Sequence, residues 1–189
     1  MATFTALLDA NVLYPARLRD LLIRLALTKR YRARWTTEIQ DEWIRNLLAN
    51  RADLSADQLE RTRTLMELAV PDVLVSSYEG LIPGLNLPDA KDRHVLAAAI
   101  RCQAGVIVTL NLRDFPAEAL APYGIEAQHP DTFIAHLADL SLPHVCGAVR
   151  ALRSNLRQPP VTVDELLDSY LALGLAETVA ALSPMRELL

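Results

Sequence analysis

Lysine is nearly missing from this chain: Lys29 and Lys91 are the only two, and every other basic side chain is an arginine. Positive charge is not in excess either, since the formal net charge is −4, which excludes a binder that relies on a bulk basic surface. Arginine still forks phosphate well, and an arginine excess also follows from a GC-rich genome. Cysteine is scarce. Cys102 and Cys146 each sit in a helical pattern among apolar neighbours, so a disulfide framework is excluded and two buried thiols in a reducing compartment are expected. No apolar run approaches the roughly 20 residues of a membrane span. The N-terminus shows no basic start, apolar core and small-residue cleavage site, so no signal peptide is read and a cytoplasmic protein is expected. Repeats and low-complexity segments are also lacking. What is present is 51% apolar residues over 189 positions, enough for one domain with a full core and too much for a disordered chain.

Phe4 to Leu8 is apolar on both faces, as in a buried parallel sheet. Pro15 permits a helix start, and Leu18, Leu21, Leu22, Leu25 and Ala26 form one stripe. Residues 33–36 read as a short second strand. Thr37 reads as an N-cap with Gln40 as its capping-box partner, and the helix that follows puts Ile39, Trp43, Leu47 and Leu48 on one side. Ser55 with Gln58 is a second capping box, leading a helix that Pro71 stops. Residues 73–76 read as strand and 79–87 as a Gly/Pro/Asn loop. Asp89 is placed to cap a helix running to about Gln103, and Val106 to Leu110 is a second buried strand. Pro116 starts a short helix ending near Gly124, and residues 125–128 form an edge strand. Strands alternating with helices predict an α/β fold with a mostly parallel sheet. From Asp131 onward only helical spacing remains: 131–140, 143–156, 163–173 and 176–182.

Carboxylates gather where these segments end. Asp9 follows the first strand, within Leu8-Asp9-Ala10-Asn11. Asp89 and Asp92 open a helix, within Asp89-Ala90-Lys91-Asp92-Arg93-His94. Asn111 and Asp114 follow the strand that ends in Val108-Thr109-Leu110. Ends of parallel strands share one edge, where ligands bind. Acids crowded there repel one another unless a cation lies between them, and hard oxygen donors select Mg²⁺ or Mn²⁺.

The ordered set Asp-x-Asn after a strand, Glu42 on a helix, Asp89-x-x-Asp92 before an alanine-rich run and Thr109-Leu110-Asn111 after a strand resembles the PIN domain, and more narrowly the bacterial VapC toxins. His129-Pro130-Asp131-Thr132-Phe133 resembles the helix start after that family's last strand. The resemblance covers about residues 4–140. It implies a three-layer sandwich over residues 1–140, with residues 141–189 a helical C-terminal extension like that of longer VapC-like proteins. It also implies Mg²⁺- or Mn²⁺-dependent cleavage of RNA. Asp9, Glu42 and Asp92 match the family's first three acids, with Asp89 a close neighbour. The fourth falls at Asn111, an amide that ligates through its carbonyl but adds no charge; Asp114 is placed to supply the carboxylate. Asn11 and Thr109 would position Asp9 or a water. The implied partners are an RNA substrate, a small antitoxin covering the acidic site and, as a homodimer, a second copy of the chain; no membrane is involved.

Each residue also has a plain structural reading. Asp89 and Asp92 form a capping box, Asp9 a turn, Glu42 a solvated helix face, and Asn111 with Asp114 a turn in which Asp114 caps the Pro116 helix. His94, His129, His136 and His144 show no ligand spacing and read as structural. Lys91, Arg93 and Arg113 flank the acids as RNA contacts or as solvated cations. Tyr14, Trp35 and Trp43 serve base stacking or, more plainly, the core. Two further functions stay open: a catalytically weak PIN-like domain that binds RNA or protein, motivated by Asn111, and a phosphotransferase of the haloacid dehalogenase type, which Asn11 in place of a second Asp disfavours.

Overall fold

Five residues, Phe4–Leu8, make the strand on which the molecule is organised. A computed structural model describes residues 4–189; Thr3, which leads into that apolar run, lies outside them. Within β1 (Phe4–Leu8), Ala6, Leu7 and Leu8 have no solvent exposure. β1 pairs in parallel with β2 (Tyr31–Arg34) on one side and β3 (Val106–Val108) on the other, and β3 pairs in parallel with the edge strand β4 (Glu126–Gln128). The order is β2-β1-β3-β4. Every pairing in this sheet is parallel, so all four strands end on the same edge. That is the expected α/β sandwich, a parallel sheet flanked by helices.

The helices are α1 (Ala10–Leu13), α2 (Ala16–Leu27), α3 (Thr37–Asn50), α4 (Ala56–Ala69), α5 (Arg93–Arg101), α6 (Ala117–Leu120), α7 (Pro130–Asn155), α8 (Val163–Ala172) and α9 (Ala176–Leu182). α2 buries the stripe read from its sequence, and Tyr31 donates its hydroxyl hydrogen to the Leu22 carbonyl at 2.8 Å. Phe133 of α7 meets Tyr31 edge-on, with ring centroids 4.9 Å apart, and joins Phe4 in the same aromatic cluster. α5 packs its Ala97, Ala98 and Ala99 face towards β1 and β3. Small side chains let helix and sheet approach closely.

Several elements differ from the sequence reading. α1 went unread because four residues are too few for a 3.6-residue period. The second strand starts at Tyr31 rather than residue 33. Residues 73–76 form no strand; they contribute one bridge, Leu74 to Trp35. The N-cap of α3 is Thr36, which accepts from the Ile39 N–H at 3.0 Å, while Gln40 is buried and accepts from the Trp43 indole. Leu48 is exposed, unlike Ile39, Trp43 and Leu47. The 79–87 loop contains a 3₁₀ turn, Glu79–Gly84. The Ser55–Gln58 capping box is present as read.

α7 runs through the stretch read as two helices. Ser141 leaves helical geometry at φ −167° and ψ 87°, two residues before Pro143, which lacks an N–H and crowds the preceding turn. The break at Ser141 divides these residues into the two helices read from the sequence; taken end to end, α7 is long and apolar enough to cross a membrane. Its apolar side packs instead on α2 and α9. The extension is docked by Asp131. Its carboxylate accepts from the N–H groups of Glu177 and Thr178, at 2.8 and 2.7 Å, at the start of α9. Gly124 (φ 67°) and Gly174 (φ 79°) supply the left-handed residue after their helices.

Candidate active site

β1 delivers Asp9 to the sheet edge as the N-cap of α1. Asp9 Oδ1 accepts from the Ala10 N–H at 2.7 Å. Oδ2 accepts from the Asn11 amide and the Thr109 hydroxyl, both at 2.7 Å. Asn11 also donates to Thr109 Oγ1 at 2.9 Å and accepts from the Leu110 N–H at 2.9 Å. Thr109 Oγ1 takes the Asn111 N–H at 3.0 Å. The ends of β1 and β3 are thus stitched around one carboxylate. A carboxylate offers about four lone-pair sites, so three acceptances leave one direction open. Asp9 is only 6% exposed. Burial pushes its carboxyl above the usual range, against the lowering effects of Thr109, the Ala10 N–H, His94 and Asn11.

α3 supplies Glu42. Beside it in the helix, Trp43 packs under buried Arg19, which donates to the Leu13 carbonyl at 2.6 Å and lies 4.6 Å over the Trp43 ring. Burial lowers that guanidinium to about 10. The Glu42 carboxyl is raised by burial and by Asp9, and lowered by His94 and Arg45. Asp92 stands where a 3₁₀ turn, Ala90–Asp92, meets α5, and caps nothing with its side chain. Burial, then Asp9, Asp114, Asp89 and Glu42, push it up to about 7. The two acids read together as a capping box therefore separate: Asp89 caps the turn through the Lys91 N–H at 2.9 Å, and Asp92 is left facing other carboxylates.

Asn111 donates its amide to the Asp114 carboxylate. Asp114 does not cap the helix after Pro116, which has no side-chain cap. Asp9, Asn11, Glu42, Asp89, Lys91, Asp92, Asn111 and Asp114 all line one cleft of about 600 Å³. Arg93 and Arg113 are not among its lining residues; Arg113 is exposed, and the buried Nε of Arg93 meets no hydrogen-bond partner. Trp35 and Trp43 are fully buried core residues.

The sequence reading missed Glu38, Asp41, Arg45, Asn46 and His94, which also line the cleft. Glu38, Glu42, Arg45 and Asn46 recur at the three- and four-residue spacing of one helix face, a signal available in the sequence. His94, read as structural, is buried yet reaches the cleft, 3.8 Å from Glu42 Oε2. Among the described residues, no group of three or more His, Cys, Asp or Glu side chains is arranged to hold a metal ion. The donor chemistry nevertheless fits a hard divalent cation. Oxygen donors predominate, and the Asp9, Glu42 and Asp92 carboxyls are raised in part by one another's charge or by burial, a repulsion that a cation relieves.

Together these features define a parallel α/β domain with an acidic cleft on its strand-end edge. Residues 5–113, more than half of the chain, match the family model of the PIN domain, and the chain belongs to that family. Residues 130–184 match the model of the VapC50 C-terminal domain. A Mycobacterium tuberculosis protein, provisionally named ribonuclease VapC50, is 45% identical over 92 residues, which make up 49% of this chain and 54% of that protein. The matched stretch thus spans about half the length of that relative. No solved structure matches the chain.

Proposed function

We propose that the protein is a divalent-metal-dependent endoribonuclease, a VapC-like toxin that cuts a structured RNA and so blocks translation. The observation that carries this reading is the cleft itself: Asp9, Glu42 and Asp92, from three separate segments, line one cavity at the carboxyl edge of a parallel sheet. The name of the M. tuberculosis relative and the match of the extension support it.

Asp9, Glu42 and Asp92 would hold Mg²⁺ or Mn²⁺, with Asp89, Asn111 or Asp114 beside them. When bound there, such an ion would supply positive charge at the phosphodiester and would make a water more acidic. The chain's own residues do the rest. Asn11 and Thr109 fix the plane of the Asp9 carboxylate, so its remaining lone pair has one direction. Burial and the neighbouring acids push the Asp92 carboxyl up to about 7 in the metal-free protein, a crowding that a cation at the site would relieve. Lys91 and Arg45, on the cleft wall, offset the acids for an approaching phosphate backbone. An antitoxin that silences this site would cover the acids, most directly with an arginine forked onto them.

The test is cleavage of total RNA with Mn²⁺ by the wild type and by Asp9→Asn. Cleavage by the wild type that Asp9→Asn abolishes, with the fold intact by circular dichroism, is the expected result. A wild type that binds Mn²⁺ and RNA without cleaving, while Asn111→Asp cleaves, would support instead the weak binding domain that the amide at position 111 suggests.

A further inference from the structure

Glu38 and Glu42 lie one turn apart on α3 and share a single imidazole. His94 Nδ1 is 3.6 Å from Glu38 Oε2, and His94 Nε2 is 3.8 Å from Glu42 Oε2. Both separations fall just outside hydrogen-bond length. His94 is only 7% exposed, and its Nδ1 is buried with no hydrogen-bond partner. A polar atom buried in that state is costly unless a small movement completes its bond. The far side of the arrangement is anchored, since the Tyr78 hydroxyl donates to Glu38 Oε2 at 3.1 Å.

Like charges at this spacing repel, so Glu42, whose side chain is 36% exposed, is not held in place by its own helix. His94 is held: it occupies the first turn of α5 and is followed by buried Val95, Leu96 and Ala97. The same helix start carries Asp92. We propose that His94 is a positioning residue of the acidic cleft, wedged between Glu38 and Glu42 so that it sets where the Glu42 carboxylate points, with Tyr78 anchoring the wedge through Glu38. This rests on the metal-dependent reading above and concerns the placement of one of its carboxylates. Two acids from distant segments, Asp92 and Glu42, thereby take their positions from one rigid helix end. Outer partners of this kind are worth about ten- to a hundredfold in metal affinity.

The experiment compares the wild type with His94→Ala, His94→Gln and Tyr78→Phe. The first readout is the side-chain carboxyl ¹³C resonance of Glu42 in the metal-free protein, and the second is Mn²⁺ affinity by calorimetry. His94→Ala is expected to move the Glu42 resonance and to weaken Mn²⁺ about ten- to a hundredfold. His94→Gln, whose amide nitrogen takes the place of Nε2, restores both. Tyr78→Phe keeps the packing, removes only the hydroxyl and moves both readouts in the same direction by less. Unchanged resonance and affinity in all three variants, with only a lowered melting temperature in His94→Ala, would make His94 a packing residue and overturn the proposal. If the wild type binds no Mn²⁺, the metal reading fails separately, and the Glu42 resonance still decides the role of His94.

Discussion

Asp92 is a carboxyl on which burial and four neighbouring acids act together. Burial first, and then Asp9, Asp114, Asp89 and Glu42, push its carboxyl above the usual carboxylate range, up to about 7. A carboxyl raised on folding contributes stability that is full below its unfolded pKa and is lost as pH rises through its folded one. Asp9 and Glu42 are shifted in the same direction. The metal-free protein should therefore melt at a higher temperature at about pH 5 than at about pH 8, and Asp92→Asn should flatten that slope. Calorimetric scans across pH decide this; an unflattened slope in Asp92→Asn would take Asp92 out of the cluster. The Asn111–Asp114 pair offers a second check. Because Asp114 caps no helix, Asp114→Asn should leave thermal stability nearly unchanged and still cut RNA cleavage sharply if Asp114 supplies the fourth carboxylate. Asn111→Asp places a second charge against Asp114, so it should lower the melting temperature without metal and tighten Mn²⁺ binding. Equal Mn²⁺ affinity in Asn111→Asp and wild type would remove position 111 from the site.

At the scale of elements, the contact between α7 and α9 makes a sharp prediction. Asp131 accepts two N–H groups at the start of α9, and hydrogen bonds to a charged acceptor are worth about 1.5–3 kcal/mol each. Asp131→Ala should destabilise the protein by about 3–6 kcal/mol and speed amide exchange in α9 and residues 183–188 ahead of the sheet. Uniform acceleration across the chain would mean that α9 is not separately tethered. Elements of this kind show what could be read in advance. The Ser55–Gln58 box was legible because both of its bonds close within one turn. β1 and β3 were legible because strands buried on both faces are apolar throughout. The shift of β2 was not, since Tyr31 and Arg32 join the sheet through pairing with Phe4 and Thr5, a distant partner that local pattern does not encode. The acids at the strand ends could be listed from the sequence. Which of Asp89 and Asp92 spends its side chain on a turn, and that His94 reaches the cleft, depended on the three-dimensional course of residues 88–94.

At the scale of the whole molecule, α7 belongs to two parts at once. Its Phe133 packs on the sheet's aromatic cluster, and its far end, with Leu152 buried, continues the helical layer that holds α8 and α9. A core shared in this way predicts one cooperative transition in urea, with tryptophan fluorescence from Trp35 and Trp43 coinciding with loss of helical circular dichroism. Two separated transitions would show that the extension unfolds by itself. Ending the chain after Arg157 would uncover the partners of Leu166, Tyr170 and Leu182, all fully buried, and should leave an aggregating product. The stitching of Asp9 to Thr109 also carries a meaning in time. Synthesis runs from the N-terminus, so the first acid leaves the ribosome a hundred positions before the hydroxyl that orients it. The nascent chain passes most of its growth with the acidic edge unassembled, and the cleft takes shape only once β3 has closed beside β1.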